Sequence, residues 1–274
     1  MQKKLLIAGT LVLSIVLMHS SCKKNALLEW SEISTASSDQ SNTEMLIDDV
    51  EENVTTEVDN VLLYKDEVFN KSCPSISFRH RRVFPDTIVI DWGASGCIDR
   101  NGRVKRGSIQ VIITGPMQYP GSKRTTTFNN YSVDSVGLTG TVVVENISPD
   151  SVSCRVLKRN VTNAQLTFPD GTFRAWNATH TRTQTQGCQT KTILDDAWSL
   201  TGSSNGQTRV GNAFTSAITT PILRSASCPR PTTGTVSSTV GSNNWIIDFG
   251  NGTCDRTATV SFNGSAPRTF TMRR

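Results

Sequence analysis

The chain has 274 residues, enough for one large domain or two small ones, and at 36% hydrophobic and 19% charged its composition is that of a globular protein. Its formal charge is +5. The positive residues between Arg79 and Arg124 are interleaved with strand formers and make no continuous basic tract, and Glu29 to Glu57 is acidic, which excludes the usual nucleic-acid-binding pattern.

The chain begins with a basic pair, Lys3 and Lys4, an apolar run from Leu5 to Met18, and then Ser20, Ser21 and Cys22. The apolar run falls below the roughly 20 residues of a spanning helix and suits a secretory signal, here residues 1–21. Small residues directly before a cysteine resemble the lipobox of bacterial lipoproteins, with His19 where leucine is usual. The resemblance implies acylation of Cys22 and a membrane contact through lipid, each buried methylene adding about 0.8 kcal/mol. The expected location is the bacterial envelope, at the outer membrane, facing the periplasm or the cell surface. An ordinary cleaved signal with an incidental cysteine is the alternative.

Residues 22–40 are polar and Ser-rich and read as a flexible tether. In residues 41–66, Leu46, Val50, Val54 and Val58 recur at helical spacing and Ser41 with Glu44 matches a capping box, which predicts a short amphipathic helix or, failing a partner surface, a linker.

From residue 67 to 274 the pattern is that of strands. "TIVIDW", "SIQVIITG", "GTVVVENI" and the hairpin "AQLTFPDGTFRAW" alternate or cluster β-branched residues between turn signals, with no βαβ alternation. The predicted fold class is all-β: an antiparallel sandwich or an extended meander.

Of seven cysteines, assigning Cys22 to lipid leaves Cys73, Cys97, Cys154, Cys188, Cys228 and Cys254, an even set that in an exported chain implies disulfides. A repeat narrows the pairing. Cys73 to Cys97 and Cys228 to Cys254 each run from Cys-Pro through a β-branched strand ending in Ile-Asp-aromatic-Gly to a second cysteine. If the copies share a local fold, Cys73 joins Cys97, Cys228 joins Cys254, and Cys154 is left for Cys188. The cysteine and histidine spacing fits no zinc site, and Asp91, Asp99, Asp248 and Asp255 lack the remaining ligands of a calcium loop, so neither metal nor cofactor is expected.

"FPDTIVIDWGASGCIDRNGRVKRGSIQVIITG", "TTTFNNYSV", "LTFPDGTFRAWNATHTRT" and "IIDFGNGTCDRTATVSFNG", which together cover most of residues 73–265, resemble a family of uncharacterised lipoproteins of Bacteroidetes-type bacteria. The resemblance implies a tethered β-rich envelope protein and carries over no catalytic or binding residue. "DTI" and two "DSV" tripeptides also resemble bacterial O-glycosylation sites, with Thr87, Ser135 and Ser151 as acceptors.

No nucleophile elbow, zinc-protease motif, phosphate loop or dinucleotide fingerprint occurs, which favours a non-enzymatic module. In "FRAWNATHTRTQTQ" strand alternation puts Trp176, His180, Arg182 and Gln184 on one face, where an indole beside hydrogen-bonding groups offers a sugar-stacking surface; the competing reading packs Trp176 in the core. The expected function is an envelope module that binds a glycan or a protein partner, of the envelope or of a host. The alternatives are a carbohydrate-active hydrolase using Asp91, Asp248 or Asp195, and a purely structural envelope component.

Overall fold

A computed structural model describes residues 30–55, 58, 73–81, 83–99, 102–151, 153–190, 192 and 194–272. The signal sequence, Cys22 and most of 56–72 lie outside the described residues. Helix α1 spans Trp30–Val54 and is followed by strands β1 (Ser75–Phe78), β2 (Asp86–Asp91), β3 (Cys97–Ile98), β4 (Val104–Ile113), β5 (Lys123–Val133), β6 (Val136–Asn146) and β7 (Val156–Thr167). Then come β8 (Phe173–Gln186), β9 (Ala197–Gln207), β10 (Ala213–Ser225), β11 (Cys228–Val240), β12 (Asn243–Asn251), β13 (Thr257–Phe262) and β14 (Arg268–Thr271). All described strands lie in one sheet, in sequence order except that β3 is a short side branch on β4. The all-β expectation holds in its meander form.

Alternation sets the two faces. Across β5 to β13 the register aligns Thr125, Val143, Asn160, Thr179, Ser203, Ala217, Ser237, Ile246 and Ser261 in one outward row, exposed or half-buried. The neighbouring row points inward and holds Ile113, Arg124, Val144, Arg159, His180 and Gly202. Ile88, Ile90, Ile109, Val111, Leu138, Val142, Leu166 and Trp245 line the same interior, where full burial of each aliphatic side chain contributes about 1.5–3 kcal/mol.

The helix is the second layer. Ile47, Val50, Val54 and Val58 belong to the core cluster. Side chains of β4, β5, β7, β8 and β10 all reach α1, and β13 and β14 approach it, so strands far apart in the order touch one helix and the sheet must curl around it. This corrects the expected tether for residues 30–40, which are helical with Ser37, Asp39 and Gln40 buried, while residues 22–29 lie outside the described residues. It also corrects the expected capping box: the Ser41 hydroxyl donates to the Ser37 carbonyl at 3.1 Å in mid-helix. Asp39 and Gln40 meet Arg209 and Arg174 at the β9–β10 and β7–β8 turns, whereas Glu51 meets Arg124 beside the β4–β5 loop. The helix therefore runs from the first end of the curled sheet to the second.

The three disulfides are Cys73–Cys97, Cys154–Cys188 and Cys228–Cys254. The two repeat copies share their local fold. In each, the strand after the first cysteine pairs antiparallel with the Ile-Asp strand, and the aspartate accepts a backbone N–H two residues on: Asp91 from Gly93 and Asp248 from Gly250, both at 2.8 Å. Trp92 and Phe249 are buried beside them. Closing the 34-residue separation between Cys154 and Cys188 restricts the unfolded chain, so replacing both with serine is expected to lower unfolding free energy by about 2–4 kcal/mol in denaturant titrations.

Candidate functional site

Strand β8 places Arg174, Trp176, Ala178, His180, Arg182 and Gln184 on its inner face. The predicted grouping of Trp176, His180 and Arg182 is present, but that face is covered. Trp176 and His180 are each 2% exposed, inside the sheet that curls around α1, and β9 lies tight against β8 beside them. A Cβ on Gly206 would lie 2.0 Å from the Ala175 carbonyl oxygen and 2.6 Å from the Trp176 Cα, so only glycine permits this approach. The indole thus presents no outer face for a sugar. Arg159 Nη2 lies 3.2 Å from His180 Nδ1, and because a guanidinium can only donate, the ring nitrogen is the acceptor.

Arg182 stacks on the Trp198 ring at 4.4 Å, and Arg155 lies 5.2 Å from the same ring. Burial draws Arg182 down to about 10, with Asp48 opposing, so it stays cationic at neutral pH. Gln184 Nε2 donates to Asp196 at 2.8 Å and Arg155 donates at 3.2 Å; burial holds this carboxyl above the usual range against the pull of Arg155. Asp195 is exposed and accepts from the Thr190 hydroxyl at 2.9 Å. The two adjacent aspartates thus part, Asp195 outside and Asp196 buried. Asp91 and Asp248 sit in their turns with eight strands between them in the sheet order. A crevice lined by Gln40, His180, Ser204 and Ser216 among others has room for about one water molecule.

The densest constellation is the clasp between α1 and the sheet, which sequence reasoning missed. Asp39 accepts from Arg209 Nε and Nη2 at 2.7 and 2.8 Å, a bidentate pair. Asp48 takes Arg159 and Arg224 on its two oxygens. Asp49 meets Arg103 and, at 2.9 Å, Lys105, which also reaches Asp99 at 3.2 Å. Glu51 meets Arg124 at 2.6 Å. Lys105 is 1% exposed. Despite the cost of its burial, Asp48 is held well below the usual carboxylate range by Arg224, Arg159 and Arg182. Beside Asp49, burial pushes the Tyr131 hydroxyl well up, and its ring packs 5.3 Å from Trp92. The arrangement can orient a helix inside a sheet. Such pairs fix register more than they add net stability, while losing one partner is expensive.

Of the O-glycosylation-like acceptors, Ser135 and Ser151 are exposed in turns and Thr87 is half-buried in β2. Compared with protein-family models, curated proteins and solved structures, the chain matches none of them.

Proposed function

We propose that the protein is an exported, lipid-tethered, non-enzymatic envelope module, of the lipoprotein family its sequence resembles, that presents its loops to a glycan or protein partner. The observation that carries this reading is the set of three disulfides, which belong in an oxidising compartment such as the periplasm or cell surface. The helical clasp adds to it. Seven residues separate Cys22 from Trp30 and span at most about 25 Å, so an acylated Cys22 would hold the first end of the body, where α1 begins, close to the bilayer. The loops at the second end then face away from the membrane. In a cell fractionation with radiolabelled palmitate, the wild-type chain is expected in the membrane pellet carrying label, and Cys22→Ser is expected to lose the label and leave the pellet. A labelled Cys22→Ser protein, or an unlabelled wild type, would remove the tether from the account.

A further inference from the structure

At the second end of the sheet, the β1–β2 hairpin carries Arg79, His80 and Arg81, all exposed, with Val83 64% exposed at the tip. The loop that holds them is built, not trailing. Arg79 N–H donates to the Thr87 carbonyl at 2.9 Å and Val83 N–H to the His80 carbonyl at 2.8 Å. Asp86, itself fully buried, accepts through Oδ1 the backbone N–H of His80 at 2.8 Å and of Thr87 at 2.7 Å, which fixes the shape of the loop. Because β2 pairs with β4, with Asp86 opposite Ile113, the base of the β4–β5 loop lies one strand away, about 4.8 Å. That loop raises Tyr119, which is 50% exposed and stands on a pinned turn: Asn146 Nδ2 donates to the Met117 carbonyl at 2.8 Å and Gly121 N–H to the Asn146 carbonyl at 2.8 Å.

We propose that this end, with Arg79, His80 and Arg81 on one loop and Tyr119 on the next, is a docking surface for an acidic glycan. Guanidinium groups match carboxylate and sulfate oxygens bidentately, and an exposed phenol ring offers the flat apolar face on which a sugar ring packs. Charge complementarity selects the anionic substituents and the ring selects the sugar. The inference rests on the reading of the protein as a binding module, and it names the partner class and the place. It also agrees with that reading's orientation, since this end lies opposite the start of α1.

The test uses the purified full-length protein in detergent, titrated with polygalacturonate, neutral dextran and polyglutamate by biolayer interferometry. Polygalacturonate is expected to bind, dextran not to, and polyglutamate to bind more weakly. Arg79→Ala and Tyr119→Ala should each weaken polygalacturonate binding by about tenfold with unchanged melting, while Lys158→Ala on the outer face of β7 leaves it as it was. Equal binding of polyglutamate would reduce the surface to a general polyanion patch and overturn the glycan assignment. Absence of polygalacturonate binding, or wild-type affinity in both variants, would overturn the site. Neither result bears on the tether, which the Cys22→Ser fractionation decides separately.

Discussion

Replacing Asp48 with alanine is expected to lower the unfolding free energy by about 3–5 kcal/mol, the cost of leaving buried cations without their counter-charge. Asp48 bridges Arg159 of β7 and Arg224 of β10 from the middle of the interior. Two nitrogens of Arg224, Nε and Nη2, already lack a hydrogen-bond partner among the described residues, which offer it no second acceptor once Asp48 is gone. The double variant Asp48→Ala with Arg224→Met should recover part of the loss, because it removes the stranded charge together with its partner. Denaturant titrations of the four proteins in this cycle read the coupling directly, and purely additive losses would show that the pair is not coupled. The same carboxyl sets an acid limit. Its folded pKa lies below its unfolded one near about 4, so its contribution is complete above that pH and is lost as pH falls toward the folded value. Asp99, lowered by the Arg103 N–H and by Lys105 and Arg103, acts in the same direction. Unfolding on acidification should therefore begin below about pH 4 and shift little between pH 5 and 8 on account of these two groups.

Trp245→Ala is the second large expected loss, also about 3–5 kcal/mol, since it empties the volume of the bulkiest fully buried side chain. Trp245 lies on β12 opposite Ser238 and Phe262, and its indole Nε1 is buried without a hydrogen-bond partner. Trp245→Phe separates the two contributions. It keeps most of the ring contact and deletes the unsatisfied N–H, so it should cost less than about 1.5 kcal/mol. A Phe variant as unstable as the Ala variant would mean that shape alone decides the site. Both are measured by denaturant unfolding followed through the remaining tryptophans.

The β body was legible because its signals are local. Alternation in "TIVID" and "AQLTF", turn residues, and the repeated Cys-Pro and Ile-Asp-aromatic-Gly copies each report on a few neighbouring residues, and they yielded the all-β class and all three cysteine pairs. The helix was half legible. Val50, Val54 and Val58 announced it, but Ser37, Asp39 and Gln40 read as a tether because polar residues signal exposure unless a partner is known. The partners of Asp39 and Gln40, Arg209 and Arg174, lie far along the chain. A signal was present all the same. Arg124, Arg159 and Arg174 share strand parity with Thr126, Val161 and Trp176, which face the core, and acidic residues cluster on one helix. For Trp176, His180 and Arg182 the common face was read correctly, but a face does not declare whether it looks in or out until the helix that covers it is placed.

The measurement that tests the central claim most directly is native-state hydrogen exchange of the full-length chain, comparing amides of residues 39–54 with those of β6 and β7. If the sheet is curled around α1 and clasped to it by Asp39, Asp48, Asp49 and Glu51, the helix should exchange as slowly as those strands and open only with them. Exchange of residues 39–54 at the rate of an unprotected tether, while β6 and β7 remain protected, would contradict the account.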